Sequence, residues 1–332
     1  MLRILHDTKI DFIRYWRVAV GITIAFVLAG LIPLVIFGVT SSIEFTGGTL
    51  MQVRFDAAPD AAKLRSALVA VGIPSDGLQP YGSPVDYTIR AQNEGSIAEQ
   101  AAGAERVARK IEGVLDQTAG AGKYKVVGTE QIGPRVGGEL RRGAILAILA
   151  SFVITLIYLA WRFEWRFGLA ATIATMHDIL ATLAFIKILN LEISLTVIAA
   201  ILTVIGYSLN DTIIIFDRVR ENLRKTRRES LYDLLNRSVN ETLPRSVLTH
   251  VSTLLATLTL LIWAGPVIRP FAWVMTFGIF TGTFSSIYVA SPVLLWIEHK
   301  FPRSDVAMRL TPAGPMTGGP RGQQPAPAPQ KR

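Results

Sequence analysis

The chain has 332 residues, half of them hydrophobic, and it contains no cysteine, which excludes disulfide bonds and thiolate metal sites. Its formal net charge is +9 at pH 7. Such an excess can bind nucleic acid, but the basic residues are concentrated beside long apolar runs. That placement indicates membrane topology and no nucleic-acid partner.

Six apolar runs are long enough to cross a bilayer as helices, at about 1.5 Å per residue. The first run covers 18–39 and contains no charged residue. A cleaved signal peptide is the alternative for this run. We interpret it as an uncleaved anchor, because it is longer than a signal-peptide core and no A-x-A cleavage site follows. The other candidate spans are 143–160, 168–186, 193–216, 246–266 and 271–297.

The distribution of Lys and Arg predicts which side of the membrane each connecting segment faces. The short loops on one side contain only two of these residues. The opposite set carries 20, divided among the N-terminus 1–17, the loop 161–167, the basic loop 217–245 and the tail 298–332. The positive-inside rule places this basic set, and so both termini, in the cytoplasm. The tail is rich in Pro and Gly, which predicts disorder.

The segment 40–142 then lies outside the cytoplasm, and it is long enough for a small domain. Alternating apolar residues indicate strands, and a 3.6-residue period indicates helices. These patterns predict strand 49–55, helix 60–72, strand 85–91, helix 96–117 and strand 123–133. A further strand near 77–82 would complete the order βαββαβ of an α+β ferredoxin-like domain.

Polar residues interrupt three spans, although a charged side chain at the centre of a membrane helix costs roughly 2.5–3.5 kcal/mol on insertion scales. A carboxylate that alternates between apolar surroundings and a nearby Arg can load and release a proton. Asp211 has no basic neighbour in its own span, and Arg245 lies near the same end of the next, antiparallel span, so we expect them to pair. The other candidates are His177 and Asp178 in the third span, Ser208 and Asn210 in the fourth, and His250 in the fifth.

Several of these residues also have a structural interpretation. Arg245 can be a snorkelling residue of the cytoplasmic boundary, Asn210 and Ser208 can hydrogen-bond neighbouring helices, and His177 can be a satisfied interior histidine. No metal site is expected, because the His and Asp residues come from separate spans without H-E-x-x-H spacing. Nothing else supports an intramembrane aspartyl protease, and no G-x-x-x-x-G-K-[ST] loop is present, so we predict no catalytic residues and no enzyme.

Six stretches resemble, in order, the motifs of one family of membrane proteins. They are FTGGT (45–49), IGPRVGGEL (132–140), FEWRFGLAATIATMHD (163–178), GYSLNDTIIIFDRVRENLRK (206–225), LPRSVLTHVSTL (243–254) and SSIYVASPVLL (285–295). Over about residues 10–300 the chain resembles the SecD/SecF family of the bacterial protein-export machinery. Its small outside domain is similar to that of the SecF branch.

The resemblance implies a polytopic α-helical fold, in which six transmembrane helices form half of an RND-type transporter and SecD supplies the other half. The implied function is to use the proton-motive force with SecD to assist preprotein translocation through the SecYEG channel after the SecA-driven step. The implied location is the bacterial inner membrane. The coupling ion is H⁺, with Na⁺ as the alternative, and no cofactor is expected. Expected partners are SecD, SecYEG, exported preprotein chains, the lipid bilayer and, as a further candidate, YajC.

The resemblance also assigns roles to residues. It implies that Asp211, in the NDT motif, and Arg245, in the motif that opens the fifth span, belong to one proton pathway. His250 departs from the small hydroxyl residue expected at its position. The FTGGT motif lies between the first span and the first strand, and we expect it to couple the two, since glycine allows close backbone approaches. The residues assigned to this coupling are Phe45, Gly47, Gly48 and Thr49.

Two alternatives remain open. A proton-driven RND-type efflux half-transporter for small molecules shares the six-span plan, but the small outside domain leaves little room for a drug-binding vestibule. A structural scaffold for SecD would need Asp211 only as a hydrogen-bonding group between helices.

Overall fold

The structure, a computed structural model, describes residues 8–73, 77–81, 83–91, 100–226, 229–265 and 267–302. In chain order the described elements are α1 (Trp16–Phe37), α2 (Ile43–Thr46), β1 (Gly48–Phe55), α3 (Ala61–Ala70), β2 (Leu78–Tyr81), β3 (Ser83–Ala91), α4 (Gln100–Leu115), β4 (Tyr124–Ile132), α5 (Pro134–Arg162), α6 (Trp165–Ile188), α7 (Leu195–Lys225), α8 (Leu231–Trp263), α9 (Arg269–Ser285) and α10 (Ser291–Lys300). A π-helical turn, Ser286–Ala290, joins α9 to α10. Most of the predicted disordered tail, from 303 onward, lies outside the described residues.

Six helices of the described chain are long and apolar enough to cross a membrane, and this confirms the six-span prediction. They are α1, α5, α6, α7, α8 and the continuous α9–α10 run. Apart from α1, the helices are longer than the predicted apolar runs. For example, α5 begins at Pro134, well before residue 143, and the last helix continues to Lys300.

The segment 217–245, predicted as a basic loop, is largely helical, because α7 and α8 continue through most of it. At about 1.5 Å per residue these helices are roughly 46 and 50 Å long, against ~30 Å for a hydrocarbon core, so their adjoining ends project from it. Ion pairs join the two projecting ends and the turn between them. Arg218 lies 2.6 Å from Glu241, and Arg237 lies 2.6 Å from Glu229.

A polar strap ties the N-terminal arm to the projecting end of α8. The Asn240 side chain accepts a hydrogen bond from the Ile10 backbone N–H at 3.0 Å and donates to the Ile10 carbonyl at 2.8 Å. Asp11 accepts from the Tyr232 hydroxyl at 2.7 Å and from the Asn236 amide at 2.6 Å. The Tyr232 hydroxyl is the main cause of a pKa for Asp11 below its ordinary value. The arm and this end of α8 therefore lie on the same side of the membrane.

One face of helix α7 is buried in the bundle, packed against α6, α8 and α9. Small residues allow the close approach of α7 and α9, as is common between membrane helices. A Cβ atom added to Gly282 would lie 2.9 Å from the Ser208 Cβ, and one added to Gly278 would overlap Val204. The carboxylate of Asp211 thus lies on the buried face of this helix.

The outside segment folds as the predicted βαββαβ unit, including the short strand β2. Its four strands are antiparallel in the order β2-β3-β1-β4, which is the ferredoxin-like arrangement. The apolar faces of α3 and α4 cover one face of this sheet, where Met51, Ile89 and Ile111 are fully buried. The two edges of the sheet have different attachments, since β4 leads directly into α5 while β2 and β3 form the opposite edge.

Candidate functional site

Asp178 lies on α6 in the interior of the bundle, and its side chain is buried. Its carboxylate accepts a hydrogen bond from the Ser285 hydroxyl of the last span at 2.7 Å, and a second from the Ser208 hydroxyl of α7. A third contact comes from His177, whose Nδ1 lies 2.9 Å from Oδ1. Three donors around one buried carboxylate stabilise the charge that burial alone would penalise.

His177 connects this carboxylate to α1. Adjacent residues on a helix diverge by about 100°, yet the His177 ring turns back to reach Asp178. Its other ring nitrogen, Nε2, lies 2.7 Å from the Thr23 hydroxyl. In a neutral imidazole, an Nδ1–H that donates to the carboxylate leaves Nε2 as the acceptor for Thr23. A continuous row of polar groups therefore crosses from α1 to α6 and on to α7.

Asp211 lies on α7, about one turn beyond Ser208, and is also buried. One carboxylate oxygen accepts a hydrogen bond from the Ser246 hydroxyl of α8 at 2.5 Å. Among the described residues, the other oxygen has no hydrogen-bond partner. His250 lies beside this carboxylate, and its Nε2 is likewise buried without a described partner. Asp211 therefore has an open acceptor next to a second group that can carry a proton.

The predicted pairing of Asp211 with Arg245 is wrong for this structure. Arg245 is exposed on the outer surface of the chain and forms no ion pair with Asp211 in the described part of the protein. The reason is helical phase. Helix α8 presents Ser246 and His250, four residues apart, to α7, and the residue before Ser246 points about 100° away from that contact.

Two other polar residues of the GYSLND motif, Ser208 and Asn210, form no hydrogen bond with Asp211 in the described structure. Ser208 is buried and donates to Asp178, so it belongs to the first carboxylate and not to Asp211. Asn210 is exposed on the outside of α7. Nearby, the Tyr207 hydroxyl donates to the Thr249 carbonyl of α8 at 2.9 Å.

The π-helical turn of the last span contacts both carboxylate environments. Ser285 donates to Asp178, while the hydroxyl of the next residue, Ser286, lies 2.8 Å from the Thr212 hydroxyl and beside Asp211. A π-turn widens the local helix, and such turns are frequent at functional sites.

Sequence reasoning missed the hydroxyl residues that surround the two carboxylates. The signal available was the run SSIYVAS, which places three serines in an apolar span. The residues concerned are Thr23, Ser246, Ser285 and Ser286. Within the ranges that the structure describes, no group of three His, Asp or Glu residues could hold a metal ion.

The FTGGT motif forms a tight joint between the outside domain and the membrane helices. Gly47 and Gly48 have φ angles of 74° and 145°, which favour glycine. A Cβ on Gly48 would lie 2.7 Å from the Ala91 carbonyl of β3, and one on Gly137 of α5 would lie 3.0 Å from the Gly47 nitrogen. Phe45 and Thr49, which flank the glycines, are both buried.

These features define a polytopic membrane protein with six candidate spans, a pair of buried carboxylate sites among them and one small α+β domain between the first and second spans. The family model for protein export membrane protein SecD/SecF, C-terminal, matches residues 112–300, and the model for the SecD/SecF GG motif matches 34–59. The chain belongs to the SecD/SecF family, which confirms the predicted resemblance and fold.

Relatives in other bacteria agree with this assignment. The chain is 59% identical over 309 residues to the protein translocase subunit SecF of Gemmatimonas aurantiaca, covering 92% of each chain. It is 39% identical to SecF of Rickettsia conorii, covering 90% of this chain and 96% of that one. The curated relatives it matches are thus Sec translocase subunits of the SecF type.

Solved structures of longer proteins share the fold. SecDF of Thermus thermophilus, described as a translocon-associated membrane protein, superimposes with a TM-score of 0.79 at 33% identity. A structure of SecDF in a super-membrane-facing form gives 0.65 at 34% identity. The matches cover 90% and 89% of this chain but only 40% of each SecDF chain.

Proposed function

We propose that this SecF-type subunit couples proton movement through Asp211 to the export of preproteins by the Sec translocase, without a catalytic role of its own. The observation that carries the proposal is the open carboxylate oxygen of Asp211 beside the open ring nitrogen of His250. A proton can bind at either atom without displacing a described hydrogen bond, while Ser246 continues to hold the other oxygen.

The energy for a conformational change comes from the membrane potential. One elementary charge that moves through 100 mV supplies about 2.3 kcal/mol, which shifts a two-state equilibrium by roughly 50-fold. Neutralising Asp211 weakens its attraction for donors on α8 and the last span, so α7 can move relative to them.

Asp178, with His177 and Ser208, is the second candidate proton-binding site. Its three donors also suit it to a structural role between helices.

We propose that a SecD-like half covers the outer face formed by α7 and α8. Tyr207 contacts Thr249, and the two helices run antiparallel. Asn210 follows Tyr207 by three residues and Arg245 precedes Thr249 by four, so both lie at a similar depth on this face. An exposed Arg at that depth is costly in lipid, and a carboxylate from the SecD half would offset the cost. The larger SecDF chains have room for such a half.

The remaining assignments follow from the family and from topology. We propose the bacterial inner membrane as the location, with both termini in the cytoplasm, since hydrogen bonds join the N-terminal arm to the projecting end of α8, within the Lys- and Arg-rich segment 217–245. The proposed partners beyond SecD are the SecYEG channel, the exported chain and YajC. The coupling ion is proposed to be H⁺, with Na⁺ as the alternative.

The test is Asp211→Asn in the complex with SecD, reconstituted with the export channel. We expect the proton gradient to stop stimulating export, so that the rate falls to the level measured without a gradient, while SecD association is retained. Asp217→Asn is the matched control, because Asp217 lies on the same helix in its projecting end and should leave the stimulation intact. Unchanged stimulation in Asp211→Asn would overturn the proton role. Loss of SecD association would instead favour the scaffold alternative.

A further inference from the structure

The connection between α6 and α7, residues 189–194, lies against the outside domain. Glu192 in this connection forms an ion pair with Arg90 at the end of β3, and the side chains are 23% and 24% exposed. Gln79 on β2 donates to the other carboxylate oxygen of Glu192 at 3.2 Å. One carboxylate thus contacts both strands of the β2–β3 edge.

The segment before β1 holds the same connection from the other side. The backbone N–H of Ser42 donates to the Ile193 carbonyl at 2.9 Å, and the Ile193 N–H donates to the Thr40 carbonyl at 2.8 Å. Glu44 accepts from the Leu195 N–H at 2.5 Å. This places a carboxylate at the N-terminal end of α7, which the helix dipole favours.

Helix α7 carries Asp211 and begins where these contacts are made. The distance along the helix from Leu195 to Asp211 is about 24 Å, and the helix has no proline between them. A tilt or shift of α7 at Asp211 therefore moves its first turn and the 189–194 connection with it.

The sheet of the outside domain is attached at both edges. Its β4 edge continues directly into α5, and its β2–β3 edge is held by Glu192. The glycine joint lies between these edges, at the start of the central strand β1, where Gly47 and Gly48 have positive φ angles. Relative movement of α7 and α5 would rotate the sheet about that joint.

We propose that Arg90 and Glu192 are positioning residues that transmit the movement of α7 to the outside domain. The inference rests on the proposed function, because it takes the proton-driven movement of α7 as its input. Without this pair, α7 could still respond to the proton, but the β2–β3 edge would no longer follow it.

Charge reversal tests the pair in the full chain complexed with SecD in vesicles. Arg90→Glu and Glu192→Arg should each lower gradient-stimulated export several-fold, and the double exchange should restore at least half of it. Arg54→Glu is the matched control, since Arg54 pairs with Asp86 at 2.7 Å within the same sheet but away from α7. We expect the control to export normally.

A distance measurement separates transmission from simple support. Spin labels at Lys63→Cys on α3 and Glu139→Cys on α5 are unique, because the chain has no native cysteine. We expect the distance to change when a proton gradient is applied, the change to vanish in Glu192→Arg, and the double exchange to recover it. A gradient response that persists in both single variants would overturn the inference. So would normal gradient-stimulated export without any distance change, although the proton role of Asp211 would then stand.

Discussion

The two buried carboxylates differ in how fully their hydrogen-bonding capacity is used. Asp178 accepts hydrogen bonds from Ser208, Ser285 and His177. Asp211 accepts a short hydrogen bond from Ser246. A carboxylate that accepts several hydrogen bonds fixes the helices around it, since moving any donor breaks a hydrogen bond in a medium without water. A carboxylate with an open oxygen can exchange a proton with little rearrangement. Asp178 and Asp211 are therefore suited to two different tasks, although they are the same residue type in one helix bundle.

Truncation of each aspartate should reveal this difference. At roughly 0.6–1.7 kcal/mol per hydrogen bond between membrane helices, Asp178→Ala, which removes the bonds from Ser208 and Ser285, should lower the free energy of unfolding by about 1–3 kcal/mol. Asp211→Ala, which removes one such bond, should lower it by about 1 kcal/mol. The measurement is the midpoint of SDS-induced unfolding in mild detergent. Equal losses in the two variants would contradict the distinction between them.

Two features of the helices position these groups, namely the close packing of α9 against α7 and the π-turn. Gly278 and Gly282 let α9 approach α7, which brings Ser285 within reach of Asp178. The π-turn then keeps Ser286 directed inward as well. Neither carboxylate environment is made by one helix, and each depends on the spacing between helices.

Gly282→Leu should separate α7 from α9 at this point. The new side chain would collide with Ser208, whose hydroxyl donates to Asp178, so we expect a loss of about 1–3 kcal/mol or more from overpacking. Gly143→Leu on α5 is the control, because a Cβ there meets no atom within 4 Å. Unfolding in detergent measures both variants. A loss for Gly143→Leu as large as that for Gly282→Leu would show that the effect is not local to the α7–α9 contact.

Sequence patterns were sufficient to predict the helices and strands, but they did not predict the rotation of each helix about its own axis. Hydropathy predicted six spans, and alternation predicted the strands β1, β3 and β4, because both signals are local. The short strand β2 was predicted only from the βαββαβ order that it would complete. The partner of Asp211 was predicted wrongly, since a change of one residue along α8 rotates the contact by about 100° and exchanges Arg245 for Ser246. The π-turn has no recognisable local signature, and its effect appears only when Ser285 and Ser286 meet two other helices.

The whole chain has an outer face that is unusual for a surface in contact with lipid. Arg245 and Asn210 are exposed there, beside apolar residues such as Leu248, which is 68% exposed. Lipid-facing polar groups of this kind are rare unless another protein covers them. Other basic residues of the described chain have acidic partners, such as Arg218 with Glu241 at the projecting ends and Arg54 with Asp86 in the outside domain.

Arg245→Leu should therefore weaken the association with SecD more than it affects the chain itself. If Arg245 meets a buried carboxylate of the partner, removing one member of the pair costs about 2 kcal/mol or more, which is roughly 30-fold in the dissociation constant. The unfolding midpoint of the isolated chain should stay unchanged or rise, since an exposed cation in the membrane is replaced by an apolar side chain. Arg224→Leu, an exposed basic residue at the projecting end of α7, is the control and should bind SecD normally. Association measured by energy transfer between labelled subunits in vesicles distinguishes the two variants. Normal binding of Arg245→Leu would mean that this face meets lipid, because a partner carboxylate opposite Arg245 could not lose its cation without loss of affinity.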